Sequence, residues 1–336
     1  AIASLVRESL MPSFRRLFSL AGKSLLLFLA SLAMACQHQP TIDQDSVIQM
    51  DMDRAKEELD KGDYSNSLAI YERLAAQGHA GAMGMAGAFH YFGWGVPQNA
   101  TKAFGLYQQA ERKGLAVANT TMALILREGD GVAADPEQAV ERLRSAVARK
   151  DKLAVYHLAE MYALGWGVDQ DYAEAFRLFT ISAEGGFTLA WLALGSMYER
   201  GQSVPVDYAR ARECYRRAAE GGSPAAVTAL GLLYERGRGV TRNETRAAAL
   251  FAMAAGYGDP MGMNILAHMM FRGAGIPRDP TTAAFWLHAA ILRGDEGARA
   301  LQPEVEAEIG PARSTEIKAQ AQAWKPVHPD RINLGF

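Results

Sequence analysis

The chain has 336 residues, of which 49% are hydrophobic and 21% are charged, and its formal net charge at pH 7 is −2. This length and composition are sufficient for a sizeable buried core. The nearly balanced charge, with no basic stripe, argues against nucleic acid as a partner, and two cysteines do not make a disulfide framework.

The N-terminal segment has the pattern of a secretion signal. Arg15, Arg16 and Lys23 precede an apolar run of small and aliphatic residues. That run is about a dozen residues long, whereas a membrane helix needs about 20. We therefore predict a signal peptide over residues 1–35, with Met11 as a candidate for the true start.

The run that ends at Cys36, residues 32–36, resembles a bacterial lipobox. In lipoproteins that cysteine is lipidated and becomes the mature N-terminus, and by the same resemblance Gln37 implies transfer to the outer membrane. We therefore expect a lipid anchor at Cys36, a location on the periplasmic face of the outer membrane, and a polar tether over 36–48. The alternatives are a soluble periplasmic protein cut near Ala35 and a cytosolic adaptor whose N-terminus has been misread.

The rest of the sequence repeats with a 36-residue period. One column of the repeat is glycine, at Gly93, Gly129, Gly165, Gly201, Gly237 and Gly273. Another column is acid or amide, at Asp63, Asn99, Asp135, Asp171, Asp207, Asn243 and Asp279. A fixed period in this range is typical of stacked copies of one supersecondary unit.

Each copy has the pattern of two helices joined by a glycine-rich turn. Ala154, Leu158 and Tyr162 fall on one apolar face of a first helix. Gly165 is predicted to end that helix, because a left-handed C-cap strongly favours glycine. Asp171 is placed to begin the second helix by accepting backbone N–H bonds.

The recurring pattern Ala-x-x-x-Leu-(Gly/Ala)-x-x-Tyr-x-x-Gly-x-Gly-Val, best seen at 190–201 and 226–240, closely resembles the Sel1-like repeat, a relative of the tetratricopeptide repeat. The resemblance covers six copies over 80–294, after a tetratricopeptide-like repeat at 49–79. Residues 295–336 are predicted to form capping helices and a tail. The resemblance implies an all-α fold, a right-handed α-solenoid of about seven helix-turn-helix repeats.

Three residues depart from the columns of the repeat. Lys150 occupies a column otherwise held by glycine, Ser203 replaces the second glycine of a turn, and His90 replaces a tyrosine. Cys214 stands in a column of leucine and tryptophan, which predicts a small residue of the core.

No catalytic, cofactor or metal site is predicted. The Gly-x-Gly pairs lie between two helices and not after a strand, so the repeat accounts for them without phosphate binding. The seven histidines show no metal-ligand spacing, and no nucleophile motif is present. We therefore expect a protein that is not an enzyme and carries no cofactor.

The first helix of each repeat is expected to line the concave face, by analogy with tetratricopeptide packing. The residues predicted to bind partners there are Tyr91, Phe92, Arg127, Glu128, Tyr156, Glu160, Glu199, Arg200, Glu235, Arg236, His268 and Arg272. Solvated helix ends with weak ion pairs account for the same residues equally well. The alternative is a charge-assisted grip on an extended peptide or loop.

These patterns favour a protein-interaction scaffold of the bacterial cell envelope that binds partner proteins through its concave groove. The second hypothesis is a protein or enzyme that binds cell-wall fragments or β-lactams, as the resemblance suggests through cysteine-rich members of the family. Those members carry a cysteine pair in each repeat, which this chain lacks.

Overall fold

The computed structural model describes residues 44–327 and 332–334. Within these residues every regular element is a helix: sixteen are α-helices, one is a 3₁₀ helix, and there is no strand. The predicted signal peptide and Cys36 lie outside the described residues. None of the described helices combines the length and the apolar character that a bilayer span requires.

The chain divides into two compact units, of which the first comprises residues 44–178 and the second residues 179–334 of the described chain. The first unit contains α1 (Gln44–Asp60), α2 (Tyr64–Ala76), α3 (Ala80–Phe92), α4 (Ala100–Arg112), α5 (Val117–Glu128), α6 (Pro136–Ala148) and α7 (Lys152–Leu164). Helix α8 (Tyr172–Glu184) includes the point of division.

The second unit continues with the same alternation. It contains α9 (Thr188–Arg200), α10 (Tyr208–Glu220), α11 (Pro224–Arg236), α12 (Glu244–Gly256), α13 (Pro260–Arg272), α14 (Pro280–Leu292), a 3₁₀ helix (Glu296–Ala300), α15 (Gln302–Ile309) and α16 (Pro311–Ala323). In each unit consecutive helices pack against each other. The prediction of an all-α fold of helix-turn-helix repeats is confirmed.

Small residues at fixed register let the helices approach closely. The alanines of the first helices are fully buried, at Ala82, Ala118, Ala154, Ala190 and Ala226. So are those of the second helices, at Ala103, Ala139, Ala175, Ala211, Ala247 and Ala283. Larger side chains are also fully buried, and those of Tyr107 and Phe251 lie against Gly87 and Gly231 of the first helix in their own pair.

The glycine column ends each first helix in the left-handed region. Gly93, Gly129, Gly165, Gly201, Gly237 and Gly273 have φ values between +65° and +73°. At Gly165 the N–H donates to the carbonyl of Met161, which satisfies one of the last carbonyls of α7. Two residues other than glycine share the left-handed conformation in the described chain, Lys150 (φ 65°) and Ser203 (φ 68°).

The acid column begins the second helices. The carboxylates of Asp135, Asp207 and Asp279 each accept the backbone N–H three residues on, at 2.9–3.0 Å. Asp171 accepts the N–H groups of Ala173 and Glu174, at 2.8 and 3.0 Å. These bonds satisfy donors that a helix N-terminus otherwise leaves unpaired.

One predicted boundary is wrong in part. Helix α1 begins at Gln44, inside the polar tether predicted for 36–48. The reason is that Ile48 packs against the apolar cluster of the first unit, which the polar residues around it concealed in the sequence. Residues 36–43 of the tether lie outside the described part of the chain.

The C-terminal segment closes the second unit. Helices α15 and α16 pack on α14, and Trp324 meets the ring of Trp286 edge-on at 5.4 Å. Beyond them the N–H of Val327 donates to the carbonyl of Gly256 at 3.3 Å. Ile332 and Leu334 are buried in the apolar cluster of α10, α11 and α12, so the chain folds back onto its own repeats.

Candidate partner-binding surface

The last turns of the first helices contact the following repeat through one recurring pair of positions, 39 residues apart. In the first unit the hydroxyl of Tyr91 donates to Oδ2 of Asp130 at 3.3 Å. One repeat later, the Arg127 guanidinium lies over the ring of Trp166, 5.8 Å from its centroid. A hydrogen bond and a cation–π contact thus occupy the same structural position.

The second unit uses an ion pair at this position. Glu199 Oε1 lies 2.8 Å from Nη1 of Arg238, and its other oxygen accepts the hydroxyl of Tyr215 at 2.8 Å. The carboxylate of Glu199 is therefore satisfied within the unit and is only 18% exposed. Its charge serves to hold consecutive repeats together.

Three of the predicted partner-binding residues, Arg127, Tyr156 and Glu160, form a buried polar network in the first unit. Oε2 of Glu160 lies 2.8 Å from Nδ1 of His157 and 3.5 Å from Nη1 of Arg127. Arg127 also pairs with Glu128 at 2.8 Å. The side chains of Arg127 and Glu160 are 5% and 8% exposed.

Tyr156 belongs to the same network and is buried. Burial, and then the adjacent Glu160 carboxylate, raise the pKa of its hydroxyl well above the usual value. Arg127, Tyr156 and Glu160, which the sequence predicts on the partner-binding concave face, are instead buried, because these charged and polar groups satisfy one another inside the unit.

Tyr91 and Phe92 are half-buried at the end of α3. Phe92 stacks on Trp94, with ring centroids 5.1 Å apart. Burial, and then the Asp130 carboxylate, raise the pKa of the Tyr91 hydroxyl, so it stays a hydrogen-bond donor at neutral pH. Both residues are occupied by contacts within the first unit.

The second unit has the more accessible candidates. Arg200, Arg236 and Arg272 are the last residues of α9, α11 and α13, and all three are exposed. Each precedes a left-handed glycine, so their backbones occupy equivalent positions. Arg236 is 47% exposed, and its Nε lies 3.9 Å from Oε2 of Glu235.

Glu235 has no charged partner 39 residues further along the chain. Its column is that of Glu199, but the position corresponding to Arg238 is Ala274. Glu235 therefore lacks a repeat-to-repeat ion pair within the described residues, and its side chain is 35% exposed.

His268, another predicted partner-binding residue, lies on α13. Burial and then Arg272 lower the pKa of its ring, which favours the neutral form at neutral pH.

Sequence reasoning missed that Asp130, Trp166 and Arg238 are the second members of these pairs. The signal was available, since the three residues fall in one 36-residue column. The period alone does not show which column of one repeat contacts which column of the next repeat.

The described residues hold no group of histidine, cysteine and acidic side chains arranged to bind a metal ion. The buried thiol of Cys214 is free, and burial raises its pKa to about 11. It is therefore protonated at neutral pH, whereas a cysteine nucleophile reacts as the thiolate.

Comparison with protein families gives one result that covers more than half of the chain. The model of the Sel1 repeat matches residues 80–115, 116–149, 152–187, 190–223, 224–256 and 260–295. A comparison with curated proteins gave no match.

Among the solved structures that are similar to the chain are two repeat proteins. One is a protective antigen present in uropathogenic Escherichia coli strains, which displays an SLR fold; it is 29% identical over 76% of this chain, with a TM-score of 0.60. The chain spans only 56% of that antigen. The other is a Sel1 repeat protein from Oxalobacter formigenes, 27% identical over 72% of this chain and 99% of its own length, with a TM-score of 0.66.

Proposed function

The chain belongs to the Sel1 repeat family, whose members generally act as non-catalytic protein-interaction scaffolds, and from this premise we propose that it is such a scaffold in a bacterial cell envelope. The envelope location is supported by the secretion pattern of residues 1–35 and the lipobox ending at Cys36. Its partners are envelope proteins, and its anchor is a lipid in the outer membrane.

The observation that carries the interaction proposal is the set of exposed arginines in the second unit. Arg200 and Arg272 form no ion pair with any described residue, and Arg236 has only the 3.9 Å contact with Glu235. Exposed charges that the fold does not use are available to a partner, and arginine is enriched among residues that dominate binding energy. The buried network around Glu160, by contrast, has a structural role.

In-cell cross-linking tests the interaction. A photo-reactive residue at position 236 should yield one recurrent adduct with an envelope protein, and the double variant Arg200→Glu/Arg272→Glu should abolish it. The matched control is a photo-reactive residue at position 156, because Tyr156 is buried and should give no adduct. If a folded, exported chain gives no protein adduct at position 236, the scaffold proposal is wrong.

The anchor is tested separately. Metabolic labelling with a fatty-acid analogue should label the wild-type chain and fail to label Cys36→Ala, which should leave the membrane fraction. An unlabelled wild-type chain, or a labelled Cys36→Ala variant, would contradict the lipid anchor without bearing on the interaction surface.

A further inference from the structure

The arginines at the ends of α9, α11 and α13 form a row with regular spacing, which we name the arginine row: Arg200, Arg236 and Arg272. Successive members are 36 residues apart, at the same position of equivalent helices. A guanidinium presents donors in a planar fork that matches a carboxylate, so a row of them is suited to a series of carboxylates.

The acids beside the arginine row do not neutralise it. Glu199 is engaged by Arg238 and by the hydroxyl of Tyr215. Glu235 is the one acid in direct contact with the row among the residues that the structure describes, and only at 3.9 Å from Arg236. The row therefore retains positive charge, most of all at Arg200 and Arg272.

The distance between the helices that carry the arginine row determines the interval at which a ligand must present its charges. Helices α11 and α13, which carry Arg236 and Arg272, contact each other directly, and the axes of helices in contact are about 8–10 Å apart. The same 36-residue period relates Arg200 to Arg236, from which we infer a similar interval there. A polyproline II segment rises about 3.1 Å per residue with three residues per turn. Every third side chain of such a segment therefore points the same way, at intervals of about 9 Å.

We propose that the arginine row binds an extended acidic segment of a partner protein, in polyproline II conformation, with Asp or Glu at every third position. This inference rests on the proposed scaffold function and specifies the chemistry of the partner. A polyphosphate or nucleic acid is disfavoured, because its charges follow one another more closely (about 3.4 Å per strand in duplex DNA) than the roughly 9 Å interval inferred for the row.

Synthetic peptides test the spacing. The probe is a fluorescent peptide of four Glu-Pro-Pro units, and its control has the same composition with the four glutamates adjacent. Anisotropy titration with the full-length chain at low salt should give at least tenfold tighter binding of the spaced peptide. Equal affinity for the two peptides, or tighter binding of a single-stranded oligonucleotide of equal charge, would overturn the proposal.

Variants test the residues. Arg200→Gln/Arg272→Gln should weaken binding of the spaced peptide at least tenfold. The control is Arg212→Gln, which removes an exposed arginine of α10 outside the row; it should leave affinity within about twofold. Arg200, Arg212 and Arg272 are all exposed, so circular dichroism should show that neither variant changes the melting temperature. An unaffected double variant would contradict the proposal.

The two proposals fail in different ways. If the adduct at position 236 forms in cells but the spaced and adjacent peptides bind equally, the scaffold function stands and the acidic-segment inference is wrong. If the spaced peptide binds but no protein adduct forms, the row recognises carboxylates and the scaffold function is wrong.

Discussion

Thr228 and Asp259 join two consecutive repeats of the second unit through a side-chain hydrogen bond. The hydroxyl of Thr228 donates to Oδ2 of Asp259 at 2.6 Å, and the same oxygen accepts the N–H of Gly262 at 2.7 Å. One carboxylate thus caps α13 and holds α11. In the first unit Thr120 and Asp151 make the equivalent bond at 2.5 Å.

Removal of this hydroxyl should destabilise the second unit. Thr228→Val keeps the shape of the side chain but takes a donor from a buried carboxylate, which should cost about 1–3 kcal/mol. Urea denaturation followed by circular dichroism measures the change. Thr228→Ser retains the hydroxyl and should lose less than half as much; a valine variant as stable as the wild type would show that the bond contributes nothing.

The left-handed glycines of one turn should differ in their tolerance of alanine. Gly165 and Gly167 both have positive φ, which costs a residue with a Cβ about 1–2 kcal/mol. A Cβ at Gly167 would also lie 2.1 Å from the carbonyl oxygen of Pro136, whereas at Gly165 the nearest atom is Cβ of Gln170 at 3.2 Å. Gly167→Ala should therefore lower the melting temperature more than Gly165→Ala, and the reverse order would refute this reasoning.

At Lys150, in contrast to Gly165 and Gly167, a substitution is expected to stabilise the protein. It adopts φ 65° in a column that is otherwise glycine, so Lys150→Gly removes left-handed strain of about 1–2 kcal/mol. The greater backbone entropy of glycine in the unfolded chain offsets about 0.5–1 kcal/mol of that gain. We expect a small net stabilisation in thermal melts. Lys150→Ala, which keeps the Cβ, should show no such gain.

The period predicted the helices and their ends because each repeat carries its own local signals. The left-handed glycine at 165 and the capping carboxylate at 171 depend on neighbours within about four residues, which the sequence displays directly. Burial of a charged residue is different, because it depends on a partner in another repeat. Glu160 has one local partner, His157, at 2.8 Å, but its second partner is Arg127, 33 residues away, and no local pattern reveals that contact.

Glu199 and Glu235 also differ in a contact between repeats that the sequence does not reveal. They occupy one column and both precede arginine, so the sequence predicts the same environment for both. In the structure Glu199 pairs with Arg238, while Ala274 at the corresponding position leaves Glu235 without such a pair among the described residues, at 35% exposure. The candidate surface could therefore be assigned to the right helices from sequence, but its accessible members are decided by contacts between repeats.

Acid should destabilise the second unit through two histidines. Burial lowers the pKa of His268 and of His288 below the usual value of 6.5. The unfolded chain then takes up protons at a higher pH than the folded chain, so stability present above pH 6.5 is lost as the pH falls towards the folded pKa values.

This pH dependence is measured by melting between pH 7.5 and 5.5. The wild-type melting temperature should fall across this range. In the double variant His268→Gln/His288→Gln the fall should be smaller, because two of the groups that take up protons on unfolding have been removed. Equal slopes for the two proteins would show that these histidines do not couple folding to pH.

The buried network of the first unit should matter for stability and not for partner binding. Glu160→Leu leaves Arg127 and His157 without their shared acceptor in a buried site, although Arg127 keeps its contacts with Glu128 and Trp166. Breaking such a pair should destabilise the unit by about 2 kcal/mol or more. Glu128→Gln, at a more exposed position, should cost less. At a temperature where the Glu160→Leu chain is still folded, its cross-link from position 236 should persist; loss of that adduct would mean that the network takes part in recognition.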